Sequence, residues 1–210
     1  AVCRILKPHG IVVSLIKPQF EVGRTLVGKN GIVKSGKIVL VVSSSKDAFA
    51  LKRAEAAGIK TAAFEKRDMS TDEFEKAILT VVEENEIDVI VLAGFMSILS
   101  ASFIKRFENR IINVHPSLIP SFCGKGFYGL RVHRAALDYG VKVTGATVHF
   151  VNEIPDGGKI IMQKAVDILD GDTPETLQRR VMENAEWIIL PLSLEKVCME
   201  IKEKKTNGAV

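Results

Sequence analysis

Ile111-Ile112-Asn113-Val114-His115-Pro116-Ser117-Leu118-Ile119-Pro120 sets an amide and an imidazole at the point where an apolar run ends. Ile111 to Val114 reads as a buried strand. Side chains two apart in a strand share a face, so Asn113 and His115 project together. The two prolines then stop the chain from continuing as ladder or helix, which leaves the pair at an edge that a ligand can reach. A second polar cluster, Asp156-Gly157-Gly158, follows the apolar run Ala146 to Val151. An Asp in that place can orient a His and favour its charged form. Asn113, His115 and Asp156 together make a site suited to acyl or formyl transfer.

Working outward from Lys37, short β-branched runs alternate with helical stretches, the pattern of βαβ units around a parallel sheet. The expected strands are Ile38 to Val42, Thr61 to Phe64, Asp88 to Leu92, Ile111 to Val114 and Thr144 to Val151. Ser44 and Asp47 resemble a capping box before a helix from Ala48 to Ala57 that Gly58 stops, and Ser70 with Glu73 gives a full box before Phe74 to Glu84. Thr173 and Pro174 open a last helix running towards Lys202. The expected organisation is one α/β domain over residues 1–201, with an atypical segment 1–36 and a polar tail 202–210.

With 47% hydrophobic residues in 210, the chain can bury a sizeable core. Its net charge of +4 comes from 29 basic residues spread among 25 acidic ones, so charge alone selects no anionic partner and makes nucleic acid an unfavoured one. Cys3, Cys123 and Cys198 lie far apart, which argues against a zinc site and against a disulfide framework and implies a reducing compartment. The longest apolar run, Ile87 to Leu99, is too short to span a bilayer and contains Asp88; no leader pattern precedes it. A cytoplasmic location follows as the expectation, with no membrane partner.

The first 36 residues differ from the rest. Ile11 to Ile16 is a good buried strand, but Lys17 to Gly31 has turn signals and no helical face, where a parallel crossover normally supplies a helix. The chain begins at Ala1 without a Met, as a fragment would.

From Lys37 to about Pro191 the sequence resembles the glycinamide ribonucleotide formyltransferases. The segments that carry the likeness are Ile38 to Leu51, Val91-Leu92-Ala93-Gly94-Phe95-Met96-Ser97-Ile98-Leu99-Ser100, Asn113 to Pro120, Gly145 to Val151 and Asp156-Gly157-Gly158, in the family's order and spacing. The related formyltransferases acting on initiator tRNA or sugar nucleotides share the Asn-x-His-Pro-Ser and Asp elements, which alone specify only the reaction type. The resemblance implies a Rossmann-like twisted sheet flanked by helices. It also implies formyl transfer from 10-formyltetrahydrofolate to the amine of glycinamide ribonucleotide in purine synthesis, without a metal. Asn113, His115 and Asp156 are then catalytic; Met96, Ser97, Ile98, Leu99 and His149 face the folate; Glu186 meets the ribose hydroxyls. Position 97 is Ser where many relatives carry Arg, which bears on a folate contact and not on the reaction. A homodimer is the assembly allowed for.

The family's early Ser-Gly-x-Gly loop, which holds a 5′-phosphate at a helix N-terminus, has no counterpart in this chain. Lys17-Pro18-Gln19-Phe20-Glu21 instead resembles the haemolysin-type 2′-O-ribosyl RNA methyltransferases, so the sequence reads as a join near Val33 to Gly36 in which Ile11 to Ile16 replaces the lost first strand. Weakened nucleotide binding is expected, with Ser43 to Ser45, Arg24 and Lys29 as partial substitutes. The alternative function is therefore an inactive or weakened member that binds folate only.

Each feature also has a plainer reading. A lone His at a strand end is usually structural; Asn113, Pro116 and Asp156 are what favour catalysis for His115. His149 is equally a site residue or a packed one. His9 and His133 are assigned to solvent or local capping, and Cys123 to Gly129 to a solvated loop whose glycines and Lys125 can reach substrate.

Overall fold

The computed structural model describes residues 11–16, 32–33, 36–95 and 98–206. The proposed join, the Lys17 to Glu21 element, Arg24, Lys29, His9, Met96, Ser97 and residues 207–210 lie wholly or partly outside them. Two compact units divide the chain, one of residues 1–95 and 194–210, the other of residues 96–193.

In the first unit, β1 (Ile11–Ile16) lies between β3 (Gly36–Ser43) and β5 (Val89–Ala93) and runs parallel to both, with Val13 opposite Leu40 on one side and Ile90 on the other. The segment that the sequence puts in place of a family strand is thus central in this sheet. β4 (Lys60–Ala63) continues the parallel set beyond β3, and the two-residue β2 (Ile32–Val33) pairs antiparallel with the start of β3. All five residues of β5 are buried, as a parallel strand covered on both faces requires. α2 (Thr71–Glu84) begins with the expected box: Ser70 Oγ accepts from Glu73 N–H at 3.2 Å and Glu73 Oε2 accepts from Ser70 N–H at 2.9 Å. Phe74, Ile78 and Val82, one turn apart, form its inward stripe.

The box expected at Ser44 and Asp47 is a correction. The N-cap of α1 (Phe49–Ala56) is Ala48, without a side-chain acceptor. The serine hydroxyls upstream are used locally instead, Ser43 Oγ accepting from Ser45 N–H and Ser45 Oγ from Asp47 N–H.

The second unit departs from a purely parallel sheet. β6 (Ile111–His115), β7 (Val143–Phe150) and β8 (Ile160–Asp167) pair antiparallel in that order. β8 was not expected from sequence; it is mostly exposed and lacks the apolar run that marks a buried strand. α3 (Ala101–Arg106) precedes β6, with Ser100 Oγ capping Phe103 N–H. α4 (Leu130–Tyr139) packs against α5 (Pro174–Val181). α5 starts as the sequence predicts, with Thr173 at the N-cap and Pro174 in the first turn. Arg180 grips the Asp172 carboxylate with both guanidinium nitrogens, and that carboxylate also accepts from Leu169 N–H, which ties the end of β8 to the helix start. α5 passes through a π turn, Met182–Glu186, into α6 (Trp187–Thr206); within the first unit, Lys205 near the end of α6 reaches Asp88 at 2.6 Å. Among the described residues no helix is long and apolar enough to cross a membrane.

Candidate active site

The antiparallel register of β6 and β7 sets Asn113 opposite His149 and His115 opposite Thr147. Facing residues in such a pair lie on the same side of the sheet, so four polar side chains share one patch at the end of β6. His115, Thr147 and His149 are buried. A bulge against β8 falls between Val148 and His149, a common device for re-aiming a side chain beside a site.

Asp156 closes the patch from the loop after β7. Its backbone sits in the left-handed region, φ 56°, which Asp tolerates better than most residues. A Cβ at Gly158 would lie 1.7 Å from the Phe150 carbonyl oxygen, so this turn requires glycine there. Asp156 Oδ2 lies 3.4 Å from His115 Nδ1 and Oδ1 lies 3.6 Å from His149 Nε2. Oδ2 also accepts from Gly124 N–H at 2.8 Å. One carboxylate therefore stands between two imidazoles.

The partners fix where the ring hydrogens are. His115 Nε2 faces the Phe122 carbonyl at 2.9 Å and His149 Nδ1 faces the Phe150 carbonyl at 2.8 Å. A carbonyl only accepts, so both nitrogens carry hydrogen. The other nitrogen of each ring looks at Asp156, and Asn113 Nδ2 lies 3.3 Å from His149 Nε2.

The upward pull of the Asp156 carboxylate on His115 is present as expected, but the net direction is the opposite one. Burial holds His115 below the ordinary imidazole range, outweighing the charge of Asp156 and the Phe122 carbonyl. Asp156 is opposed by its own burial, yet the hydrogen bond from His149, the charge of His115 and the Gly124 N–H keep it below the usual carboxylate range. Burial thus works against charge on His115, while the contacts of Asp156 favour its ionised form.

Of the residues assigned to the folate, Ile98 is exposed, Leu99 is buried and His149 lies in the patch. Glu186 ends the π turn, which packs against β7 and β8; among the described residues neither carboxyl oxygen has a partner, and burial pushes the acid up to about 8. His133 is a further correction: it is buried on the inner face of α4, not in solvent or a cap, and burial followed by the charge of His115 pushes it down to about 4. In the Cys123 to Gly129 loop, Gly124 lends its N–H to Asp156 and the Cys123 thiol, raised by burial and by Asp156, donates to the Pro120 carbonyl. Thr147, Gln163 and the Phe122 carbonyl escaped the sequence reading. Thr147 sits two before His149 and was open to the same-face argument; a backbone carbonyl has no sequence signature. Among the described residues no cluster of three or more His, Cys, Asp or Glu is placed to hold a metal ion.

Known proteins carry the same frame. The formyl transferase family model matches residues 12–193. A trifunctional purine biosynthetic protein adenosine-3 of Gallus gallus is 47% identical over 77% of this chain, which spans 16% of that protein's length. A chloroplastic phosphoribosylglycinamide formyltransferase of Arabidopsis thaliana is 38% identical over 83% of this chain and 60% of its own. The crystal structure of phosphoribosylglycinamide formyltransferase from Anaplasma phagocytophilum superposes with a TM-score of 0.80 at 33% identity, covering 91% of this chain and 88% of that one. On the matched span and these identities, the chain belongs to the formyl transferase family.

Proposed function

We propose that this chain transfers the formyl group of 10-formyltetrahydrofolate to the amine of glycinamide ribonucleotide. The observation that carries the reading is the Asp156 carboxylate between His115 and His149, with Asn113 on the same patch. The names of the relatives agree with it.

The amine nitrogen bonds to the formyl carbon, giving a tetrahedral intermediate with a negative oxygen; the bond from that carbon to the folate nitrogen then breaks. The amine gives up a proton and the folate nitrogen gains one. Asn113 Nδ2–H and His115 Nε2–H are the donors for the oxyanion, each worth roughly 3–4 kcal/mol if correctly aimed. His115 must exchange the Phe122 carbonyl for the substrate oxygen to do so. Asp156 takes the amine proton through water and passes it on to the folate nitrogen as the bond to that nitrogen breaks. His149 holds the other carboxylate oxygen. The pterin lies against the backbone of residues 96–99, with Ile98 offering apolar surface. Glu186, buried and protonated, gains partners when the ribose hydroxyls arrive.

Binding of glycinamide ribonucleotide by calorimetry, followed by turnover with 10-formyltetrahydrofolate, tests the reading. Turnover is expected, with Asn113→Ala and His115→Ala each lowering kcat by about 100-fold or more. Folate binding without nucleotide binding or turnover would overturn it in favour of a member reduced to its folate half.

A further inference from the structure

Both ionisable partners of the site take a backbone group from one short segment. Phe122 supplies the carbonyl on His115 Nε2, and Gly124 supplies the N–H on Asp156 Oδ2. Phe122 holds a left-handed φ of 49°, which an aromatic residue adopts only when its surroundings impose it. Its ring packs edge-on against Phe127 and Tyr139, and upstream residues 117–119 are tied to β7 and β8. Thr147 Oγ1 donates to the Ser117 carbonyl at 2.7 Å and accepts from Ile119 N–H at 3.1 Å. Gln163 Nε2 donates to the Ile119 carbonyl at 3.0 Å and to Thr147 Oγ1 at 2.9 Å. The hydroxyl is thus fully used, with one bond given and two received, in a side chain that is completely buried. Within the segment, Ser121 N–H returns to the Leu118 carbonyl and Ser117 Oγ donates to the Ser121 carbonyl, which carries the anchoring forward to Phe122.

We propose that Thr147 and Gln163 are positioning residues: together they pin the 117–119 turn so that the following backbone presents Phe122 C=O to His115 and Gly124 N–H to Asp156. Among the described residues the hydrogen bonds of both side chains run to main chain or to each other, not to Asn113, His115 or Asp156; both act through main chain. The assignment deepens the formyl-transfer reading and rests on it for its kinetic arm alone.

The test uses the full chain and two readouts. The first is the downfield proton signal of the His115 Nε2–H, assigned by its loss in His115→Asn. The second is the split between kcat and KM with glycinamide ribonucleotide and 10-formyltetrahydrofolate. Thr147→Val, close to isosteric, and Gln163→Met are each expected to remove the proton signal through exchange with water. They should also lower kcat about tenfold and leave KM for the nucleotide within about twofold. Thr147→Ser should restore both, and the double variant should be no worse than the poorer single one, because the pair acts as a unit. A retained His115 signal in folded Thr147→Val and Gln163→Met proteins, or additive losses in the double variant, would overturn the proposal. If the unaltered chain shows no turnover, the reaction reading fails while the proton signal still decides the positioning claim.

Discussion

At the scale of single residues, the site is a problem of where hydrogens sit. Asn113 and His115 were legible because a strand's two-residue period puts them together, and Asp156 because an Asp-Gly-Gly turn follows a long apolar run. What sequence could not give was the balance between burial and charge. The carboxylate beside His115 is present as expected, yet the loss of water around the ring is the larger influence. Glu186 extends the same lesson into stability. Its acid is pushed from an ordinary 4.5 up to about 8 by burial. A group raised in the folded state contributes fully below its unfolded value, and that contribution is withdrawn as pH climbs towards the folded one. Glu186 therefore steepens the fall of stability between about pH 5 and 8. Glu186→Gln should flatten that fall by up to about 1.4 kcal/mol per pH unit, read from urea unfolding at several pH values. An unchanged slope would mean that Glu186 is ionised and solvated.

Among elements, start signals were readable where a side-chain oxygen has one good use and failed where it has several. Ser70 precedes a helix with Glu73 three residues on, and each caps the other. Ser70→Ala should cost about 1 kcal/mol in thermal or denaturant unfolding and leave turnover intact, since the box lies in the unit that does not hold Asn113, His115 and Asp156. Ser43 and Ser45 had nearer amides to satisfy, so α1 begins at an alanine. The π turn was invisible for a different reason. Met182 to Glu186 has ordinary helix-forming composition, and one extra residue in a turn is set by packing against β7 and β8.

Over the whole molecule, the alternation of apolar runs and capped helices made the parallel unit legible, because strands covered on both faces must be continuously apolar. The antiparallel unit was half hidden. β7 carries a long buried run, whereas in β8 Gln163 and Lys164 interrupt the apolar residues and most side chains are exposed. Among the described residues β8 ends the strand order, so one row of its amides and carbonyls has no neighbouring strand there, and such a row can template pairing with another molecule. Lys164 stands in its middle, flanked by Lys159 and Asp167. Bringing two such edges together would set lysine near lysine and strip water from both. Lys164→Val should accordingly shift the protein towards larger species in sedimentation velocity at high concentration, with turnover per chain unchanged. A single lysine in the middle of the last strand would then set the cost of stacking neighbouring molecules edge to edge in a crowded solution.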